Sequence, residues 1–325
     1  MFDVARVDGK QLQTPVVCLV FNRPDVTQKV FEAIREAKPA KLLVVADGAR
    51  VHKAGEAEKC AATRAIFDRV DWDCEVLTNY SDKNLGCKNR VSTGLDWVFT
   101  MVEEAIILED DCLPDPSFFG FCEELLERYR DDERIMSICG TNYQLGRRRT
   151  EDSYYFSVYS NCWGWATWRR AWKYYDIDMK LWPQLRETDF LKNLLVERRG
   201  VEVWNKVFND MYEGKFDSWF FRWMFCCWVQ SGLSVVADQN LISNIGGGPE
   251  ATHTATNDGE EWVFMNMPVE AIDLPLRHPS FMIRNYKADR FVQNHYYNYS
   301  RNIVKGIKRR INKLLRRKIF NLYTD

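Results

Sequence analysis

Short apolar runs alternate with helical patterns in the first third of the chain. The apolar runs cover residues 16–21, 42–46, 75–77 and 106–108. Apolar residues recur three or four apart over 26–37, which predicts a helix, and 54–70 predicts a second one. This alternation predicts an α/β fold with a Rossmann-like, mostly parallel sheet flanked by helices. Ligands of such folds bind beyond the carboxyl ends of the strands.

Three consecutive carboxylates, Glu109, Asp110 and Asp111, end the fourth apolar run. They repel one another unless a cation lies among them. Mg²⁺ and Mn²⁺ bind hard oxygen ligands of this kind, completed by phosphate oxygens of a bound nucleotide. A strand end followed by a solvated acidic turn is the alternative. The position at the end of a parallel strand puts the triplet on the ligand side of the sheet and favours the metal.

The first strand ends in Asn22, Arg23 and Pro24, without the glycine-rich turn of dinucleotide-binding folds or the Gly-Lys-Ser/Thr of a P-loop. The charge of a bound diphosphate must therefore be met in another way, and a metal on the acidic triplet supplies it. The second strand also ends in an acid, Asp47. This residue suits a hydrogen bond from a nucleotide base, and it equally suits a structural role in a turn.

Short motifs follow one another between about residue 14 and about residue 256. They are Phe-Asn-Arg-Pro at 21–24, Asp-Gly at 47–48, Asn-Leu-Gly at 84–86, Asn-Arg at 89–90, Glu-Asp-Asp at 109–111, Asp-Pro-Ser-Phe-Phe at 115–119, Trp-Gly-Trp-Ala-Thr-Trp at 163–168, Phe-Asp-Ser-Trp at 216–219 and the loop 244–253. In this order they resemble the nucleotide-sugar-dependent glycosyltransferases of the GT-A fold. The resemblance is closest to the N-acetylglucosaminyltransferase I-like group and its bacterial relatives.

The resemblance implies a role for each motif. Asp111 would hold a divalent metal, Mn²⁺ or Mg²⁺, and Asp217 would be the catalytic base of an inverting reaction. Trp163 and Trp165 would bind the acceptor. The donor-binding residues would be Asn22, Arg23, Asp47, Arg90, Glu109, Asp110, Arg222 and His253.

Several of these residues have a structural alternative. Asp217 also fits the N-cap of a helix predicted over 219–229, and Arg222 in that helix also fits a surface charge. His253 ends a triple-glycine loop, where it reaches the metal or a phosphate or has no such role. The twelve tryptophans cluster over 163–228, which suits either stacking on sugars or a tryptophan-rich core.

Composition predicts one catalytic domain over residues 1–290. The chain has 325 residues, 46% of them hydrophobic, and contains no linker or repeat. Its ten cysteines lack the spacing of a zinc site, and neither an export signal nor an apolar run of membrane-spanning length precedes them. We therefore expect reduced thiols and a cytoplasmic enzyme, unlike luminal N-acetylglucosaminyltransferase I, which puts an N-glycan acceptor in doubt.

The segment 291–325 has a different composition and predicts a C-terminal amphipathic helix. Residues 301–325 carry a formal charge of +8, so the first 300 residues sum to −9. Isoleucines and leucines recur three or four apart between the basic residues. The pattern favours peripheral binding to an anionic membrane surface, and packing of the apolar stripe on the domain is the alternative. Nucleic acid is disfavoured because the remaining chain is acidic and contains no nucleic-acid-binding motif.

These patterns predict a metal-dependent glycosyltransferase with an acidic, DXD-like metal motif. The donor would be a nucleotide diphosphate sugar, preferably a UDP-sugar, and the acceptor a glycan or a lipid-linked precursor of a surface polysaccharide. One alternative is a sugar nucleotidyltransferase, for which a glycine-rich basic loop after the first strand is expected and missing. The other is an inactive GT-A-fold binding protein, against which the intact triplet and Asp217 argue.

Overall fold

The computed structural model describes residues 11–195, 197–247 and 263–297. In these ranges the strands are β1 (Val16–Val20), β2 (Lys41–Ala46), β3 (Glu75–Tyr80), β4 (Glu104–Glu109), β5 (Cys112–Pro114), β6 (Ile135–Cys139), β7 (Tyr154–Ser157), β8 (Trp165–Trp168), β9 (Leu233–Ala237) and β10 (Ile242–Asn244). The helices are α1 (Pro24–Ala37), α2 (Glu56–Ala65), α3 (Gly86–Met101), α4 (Ser117–Arg128), α5 (Arg169–Trp172), α6 (Trp182–Leu185), α7 (Phe190–Leu194), α8 (Arg198–Tyr212), α9 (Trp219–Val229) and α10 (Tyr286–Val292).

Eight strands form one sheet in the order β3-β2-β1-β4-β8-β6-β9-β7. The first four are parallel, β6 and β9 run in the same direction, and β8 and β7 run against them. Right-handed crossovers put α1 and α2 on one face of the sheet and α3 on the other. The predicted α/β class, with a mostly parallel sheet flanked by helices, is confirmed.

β1, β2 and β4 form because their apolar runs are buried from both sides, whereas β3 lies at the sheet edge and is only partly buried. All five residues of β1 are buried, as continuous apolar runs in parallel sheets usually are. The edge strand β3 is longer than predicted, since it continues to Tyr80. The helix predicted over 54–70 is α2 followed by a 3₁₀ turn at Ile66–Arg69, and the helix predicted over 219–229 is α9.

A second, two-stranded sheet joins the ends of two distant segments. β10 pairs antiparallel with β5, so that Asn244 lies opposite Cys112. β5 begins directly after the acidic triplet. This pairing therefore brings the chain around residue 244 against the triplet, although more than 130 residues separate them.

The last described segment packs against the domain. α10 continues into a π-helical turn at Gln293–Tyr297, and both Val292 and Tyr297 are buried. The division predicted between residues 290 and 291 falls inside this helical segment. The basic residues 301–325 lie outside the described residues. Among the described helices none is long and apolar enough to cross a membrane.

Candidate functional site

The carboxyl ends of β1 and β4 meet because these strands are neighbours in the sheet. Leu19 pairs with Glu109, so the residues that follow each strand face one another. Arg23 follows β1 and donates from Nη2 to Asp111 Oδ2 at 2.9 Å and from Nε to Asp110 Oδ2 at 3.3 Å. Nη2 also contacts Asp110 Oδ1. The cation that the sequence requires among the carboxylates is therefore, in part, Arg23.

Glu109 differs from Asp110 and Asp111. In the described ranges, 11–195, 197–247 and 263–297, no group donates a hydrogen bond to its carboxyl. Its side chain is partly exposed at the end of β4. Burial, together with the charges of Asp111 and Asp110, raises the pKa of Glu109 to about 8. Burial also raises the pKa of Asp110 to about 6, against the lowering effect of Arg23. The triplet thus keeps negative charge that Arg23 alone does not balance.

The charge of this cluster fits a divalent cation. With the raised pKa of Glu109 keeping that carboxyl protonated at neutral pH, the ionised Asp110 and Asp111 and one guanidinium leave a formal charge of −1. Carboxylate oxygens are the ligands that Mg²⁺ and Mn²⁺ prefer. The described part of the chain contains no group of three His, Cys, Asp or Glu side chains arranged around one ion position. A metal held by Asp111 would therefore take further ligands from a bound phosphate and water, as Mg²⁺ often does.

Asp47, at the end of β2, holds the start of α3. Its carboxylate accepts hydrogen bonds from the backbone N–H groups of Gly48, Leu85 and Gly86 and from the side chain of Asn84, at 2.9–3.1 Å. A carboxylate at a helix N-terminus is favoured by the helix dipole. Four donors fill its acceptor positions. The structural alternative for Asp47 is therefore realised, and its predicted contact with a nucleotide base would need one of these bonds to open.

Asn22 belongs to a second polar cluster beside the triplet. Its Nδ2 donates to Glu56 Oε1 at 2.9 Å, and Arg50 donates to the same carboxylate from its backbone N at 2.7 Å and from Nε. Hydrogen bonds from Arg50 lower the pKa of the buried Glu56 to about 2. The cluster fixes the turn after β1 and thereby the approach of Arg23 to the triplet.

Arg90 and Arg222 are buried and bind backbone carbonyls. Arg90 donates to the carbonyls of Ala46 and Asn79, which ties α3 to the ends of β2 and β3. Burial lowers the pKa of Arg90 and of Arg222. The carbonyls that accept from Arg222, at 2.7–3.1 Å, are those of Ile177, Ser218 and Met211.

This geometry corrects two predictions. Neither guanidinium is available to a phosphate, because a buried backbone carbonyl that loses its donor is costly. The alternative of a surface charge for Arg222 is also wrong, since only 4% of the residue is exposed. We assign Arg90 and Arg222 to the positioning of helices around the site.

Asp217 lies just before α9 with 60% of its side chain exposed, and its Oδ1 is 3.5 Å from Lys88 Nζ on α3. The N-cap of α9 is Ser218, which accepts from the N–H of Phe221, so the cap predicted for Asp217 is shifted by one residue. Burial, followed by the charges of Glu109 and Asp217, raises the pKa of the Cys87 thiol. Glu109 and Asp217 are therefore both close enough to the first turn of α3 for their charges to act on Cys87.

The tryptophans of the 163–168 motif belong to the core. Trp165 is 1% exposed and packs against Trp219 and Trp223 with ring centroids 5.8 Å apart, and Trp163 packs against Tyr143. Stacking on a sugar requires an exposed ring face. The assignment of Trp163 and Trp165 to the acceptor is thus corrected to core packing, and the tryptophan cluster is explained in the same way.

Sequence reasoning missed Lys88, Glu56 and Asn244 as parts of the site. Lys88 lies between the Asn-Leu-Gly motif at 84–86 and the Asn-Arg motif at 89–90, and its place in the first turn of α3 is the signal that could have found it. Asn244 begins the motif loop 244–253, but its contact with Asp111 could not be predicted because the two are distant in sequence, and Glu56 carries no signal. His253 lies outside the described residues.

No protein-family model and no curated protein matches this sequence. Among solved structures, PcManGT, a mannosyltransferase from Pyrobaculum calidifontis in complex with GDP-Man and Mn²⁺, aligns with 60% of this chain and 50% of its own, at 14% identity and a TM-score of 0.35. UTP-bound UGPase from Acinetobacter baumannii aligns with 71% of this chain and 88% of its own, at 8% identity and a TM-score of 0.34. A UDP-glucose pyrophosphorylase complexed with UDP-glucose aligns with 46% of this chain and 64% of its own, at 14% identity and a TM-score of 0.26. The chain therefore spans half of the mannosyltransferase, and likeness at this level leaves the activity open.

Proposed function

We propose that this protein is a nucleotide-sugar-dependent glycosyltransferase of the GT-A type, in the N-acetylglucosaminyltransferase I-like group. The observation that carries the proposal is the arrangement of two kinds of carboxylate around the first turn of α3. Asp110 and Asp111 are buried and paired with Arg23, whereas Asp217 is exposed and contacts Lys88. Charge stabilisation and proton transfer need these two different environments.

The buried side suits the leaving group. Breaking the anomeric C–O bond of the donor puts negative charge on the nucleoside diphosphate, which cationic groups at a fixed position stabilise. A divalent metal held by Asp111 would supply Lewis acid chemistry there. Arg23 lies beside Asp111 and offers its guanidinium to the phosphates, while Glu109 faces the donor from the end of β4.

The exposed side suits the acceptor. An acceptor hydroxyl loses its proton as it attacks, and a carboxylate within hydrogen-bond reach accepts it. Asp217 keeps a solvent-accessible carboxylate for this purpose, 3.5 Å from Nζ of Lys88 on α3. An acceptor that attacks the face of the sugar opposite the leaving group, with Asp217 as its base, inverts the anomeric centre.

The finer features extend the same proposal. The donor is a UDP-sugar, and the acceptor is a lipid-linked or surface-polysaccharide precursor reached from the cytosolic face of a membrane. In this proposal the catalytic domain spans residues 1–290, the helical segment to Tyr297 packs on it, and the basic residues 301–325 of the tail 291–325 hold it at the anionic lipid surface. His253 completes the donor site.

A donor-hydrolysis screen tests the reaction class. The full chain is incubated with UDP-, GDP-, CDP- and dTDP-sugars in Mn²⁺ or in EDTA, and release of nucleoside diphosphate is measured. We expect release from one donor class in Mn²⁺, its loss in Asp111→Asn, and no change in Asp82→Asn, which alters an exposed carboxylate in the loop after β3. Pyrophosphate formation from a nucleoside triphosphate and a sugar 1-phosphate, without hydrolysis of any donor, would identify a nucleotidyltransferase instead.

A further inference from the structure

Arg23 forms a compact ion cluster with Asp110 and Asp111. The Asp110 and Asp111 side chains are 6% and 12% exposed, and that of Arg23 is 22% exposed. Both oxygens of Asp110 and Oδ2 of Asp111 accept hydrogen bonds from the guanidinium. A divalent cation on Asp111 would therefore compete with Arg23 for the same carboxylate oxygens.

The chain around residue 244 packs against this cluster. The N–H of Gly246 donates to Asn244 Oδ1 at 3.0 Å, and Nδ2 of Asn244 lies 3.3 Å from Asp111 Oδ1. A Cβ at Gly246 would lie 2.1 Å from Asp111 Oδ2 and 2.6 Å from Arg23 Nη1, so a side chain has no room there. Asp111 is thus held on one side by Asn244 and on the other by Arg23.

Gly246 restricts movement of the Arg23 guanidinium on the side that faces residue 244. The exposed part of the Arg23 side chain leaves room for the guanidinium to move towards solvent. Arg23 is also the cation that contacts Asp110 and Asp111 among the described residues. Loss of this contact without a replacement would leave two buried carboxylates without a counter-ion, which is strongly unfavourable. A replacement cation on Asp111 removes that cost, and a diphosphate then offers the displaced guanidinium a bidentate anionic partner.

We propose that Arg23 is a charge-exchange residue that couples metal binding to donor binding. It pairs with Asp110 and Asp111 before a donor binds, and it turns to the donor diphosphate when a divalent cation takes over Asp111. This inference rests on the proposed function, because the diphosphate is the partner to which Arg23 turns. Since coupling between two ligands is reciprocal, nucleotide should tighten metal binding by the same factor as metal tightens nucleotide binding.

Mn²⁺ binding to the full chain, followed by water-proton relaxation, tests this exchange. Wild-type protein should bind Mn²⁺ alone weakly and should gain about tenfold or more in Mn²⁺ affinity with UDP, within the usual range of site coupling. Arg23→Gln should bind Mn²⁺ alone about tenfold or more tightly than the wild type and should lose most of the gain with UDP. Arg23→Lys keeps the positive charge but loses the two parallel N–H donors of the guanidinium. Its Mn²⁺ affinity should lie between those of the wild type and Arg23→Gln.

Arg35→Gln is the matched control. It removes an equal charge from α1, where Arg35 forms an exposed ion pair with Asp71, and it should leave Mn²⁺ binding unchanged. Thermal unfolding adds a second readout. Arg23→Gln should unfold at a lower temperature than the wild type in EDTA, and Mn²⁺ should raise its midpoint more than that of the wild type, because a ligand stabilises the state that binds it.

Two outcomes would overturn the exchange. In the first, both Arg23 variants bind Mn²⁺ no more tightly than the wild type does. The other is an Arg35→Gln effect as large as that of Arg23→Gln, which would show a general effect of charge. Failure of the proposed function gives a different result: the Arg23 variants would bind Mn²⁺ more tightly, whereas UDP, GDP, CDP and dTDP would leave wild-type Mn²⁺ binding unchanged.

Discussion

Replacement of Asp217 by asparagine tests the catalytic base most directly. The side chain is 60% exposed, and its contact with Lys88 at 3.5 Å joins two accessible groups. Such a pair contributes at most about 1 kcal/mol to stability. In a domain of this size a change of 1 kcal/mol lowers the midpoint of thermal unfolding by roughly 2–4 °C. Loss of the base should slow catalysis by about 10² to 10⁴, which raises the barrier by about 3 to 5 kcal/mol.

The assay separates these effects. Release of nucleoside diphosphate from the donor that the screen identifies gives the rate, and isothermal titration with UDP and Mn²⁺ gives the affinity. Lys88→Ala breaks the same ion pair from the other side and should lower the rate less than about tenfold, because the carboxylate remains. Ser218→Ala removes the cap of α9 and should cost about 1 kcal/mol of stability with little effect on rate.

Equal losses of rate in Lys88→Ala and Asp217→Asn would refute the reasoning, since the ion pair rather than the base would then matter. Loss of nucleotide affinity together with the rate in Asp217→Asn would place this residue in the donor site. A product with retained anomeric configuration, seen by NMR, would exclude inversion.

Asp111→Asn should lower nucleoside diphosphate release by about two orders of magnitude or more and abolish the thermal shift that Mn²⁺ with UDP produces, and full activity in EDTA would contradict the metal. Arg222→Met should lower the free energy of unfolding in urea by about 2–4 kcal/mol, because three carbonyls lose a buried donor, whereas weaker nucleotide binding would contradict its structural role. Burial raises the pKa of Asp289 from its ordinary 3.8 to about 6. The carboxyl of the folded state therefore holds its proton more tightly than that of the unfolded state. About 3 kcal/mol of stability that is present below about pH 4 is lost as the pH rises through 6. Asp289→Asn should remove this pH dependence of the free energy of unfolding measured in urea. Deletion of 301–325 should release the protein from anionic vesicles, because each basic residue contributes up to about 1 kcal/mol there, and equal sedimentation of both forms at low salt would contradict the anchor.

The first half of the fold could be predicted because its signals are local. β1, β2 and β4 are continuous apolar runs, and their parallel order places the ends that carry Arg23, Asp47 and Asp111 at one edge. The second half could not be predicted in this way. β7 pairs with β9 about 80 residues later, and β8 lies between β4 and β6. Such pairings depend on the packing of the whole domain rather than on the pattern of any one segment.

The tryptophans show a related limit. A cluster of aromatic residues in sequence suits a sugar site and a core equally, because both use the same ring faces. Trp204 and Trp228, with centroids 4.7 Å apart, turn their rings towards each other instead of towards solvent. Burial decides between the two interpretations, and it depends on α8 and α9 packing together, which no local pattern in either helix specifies.

The three arginines of the predicted donor site differ in the chemistry of the groups that they bind. The resemblance assigns Arg23, Arg90 and Arg222 alike to the donor site. Arg90 and Arg222 bind backbone carbonyls, which no small ligand can satisfy in their place, so these side chains cannot leave without a lasting cost. Arg23 binds carboxylates, and a divalent cation can satisfy those equally well. An arginine whose partners accept another cation is free to act on a ligand, and for this reason Arg23 is the one of the three that we place in the reaction.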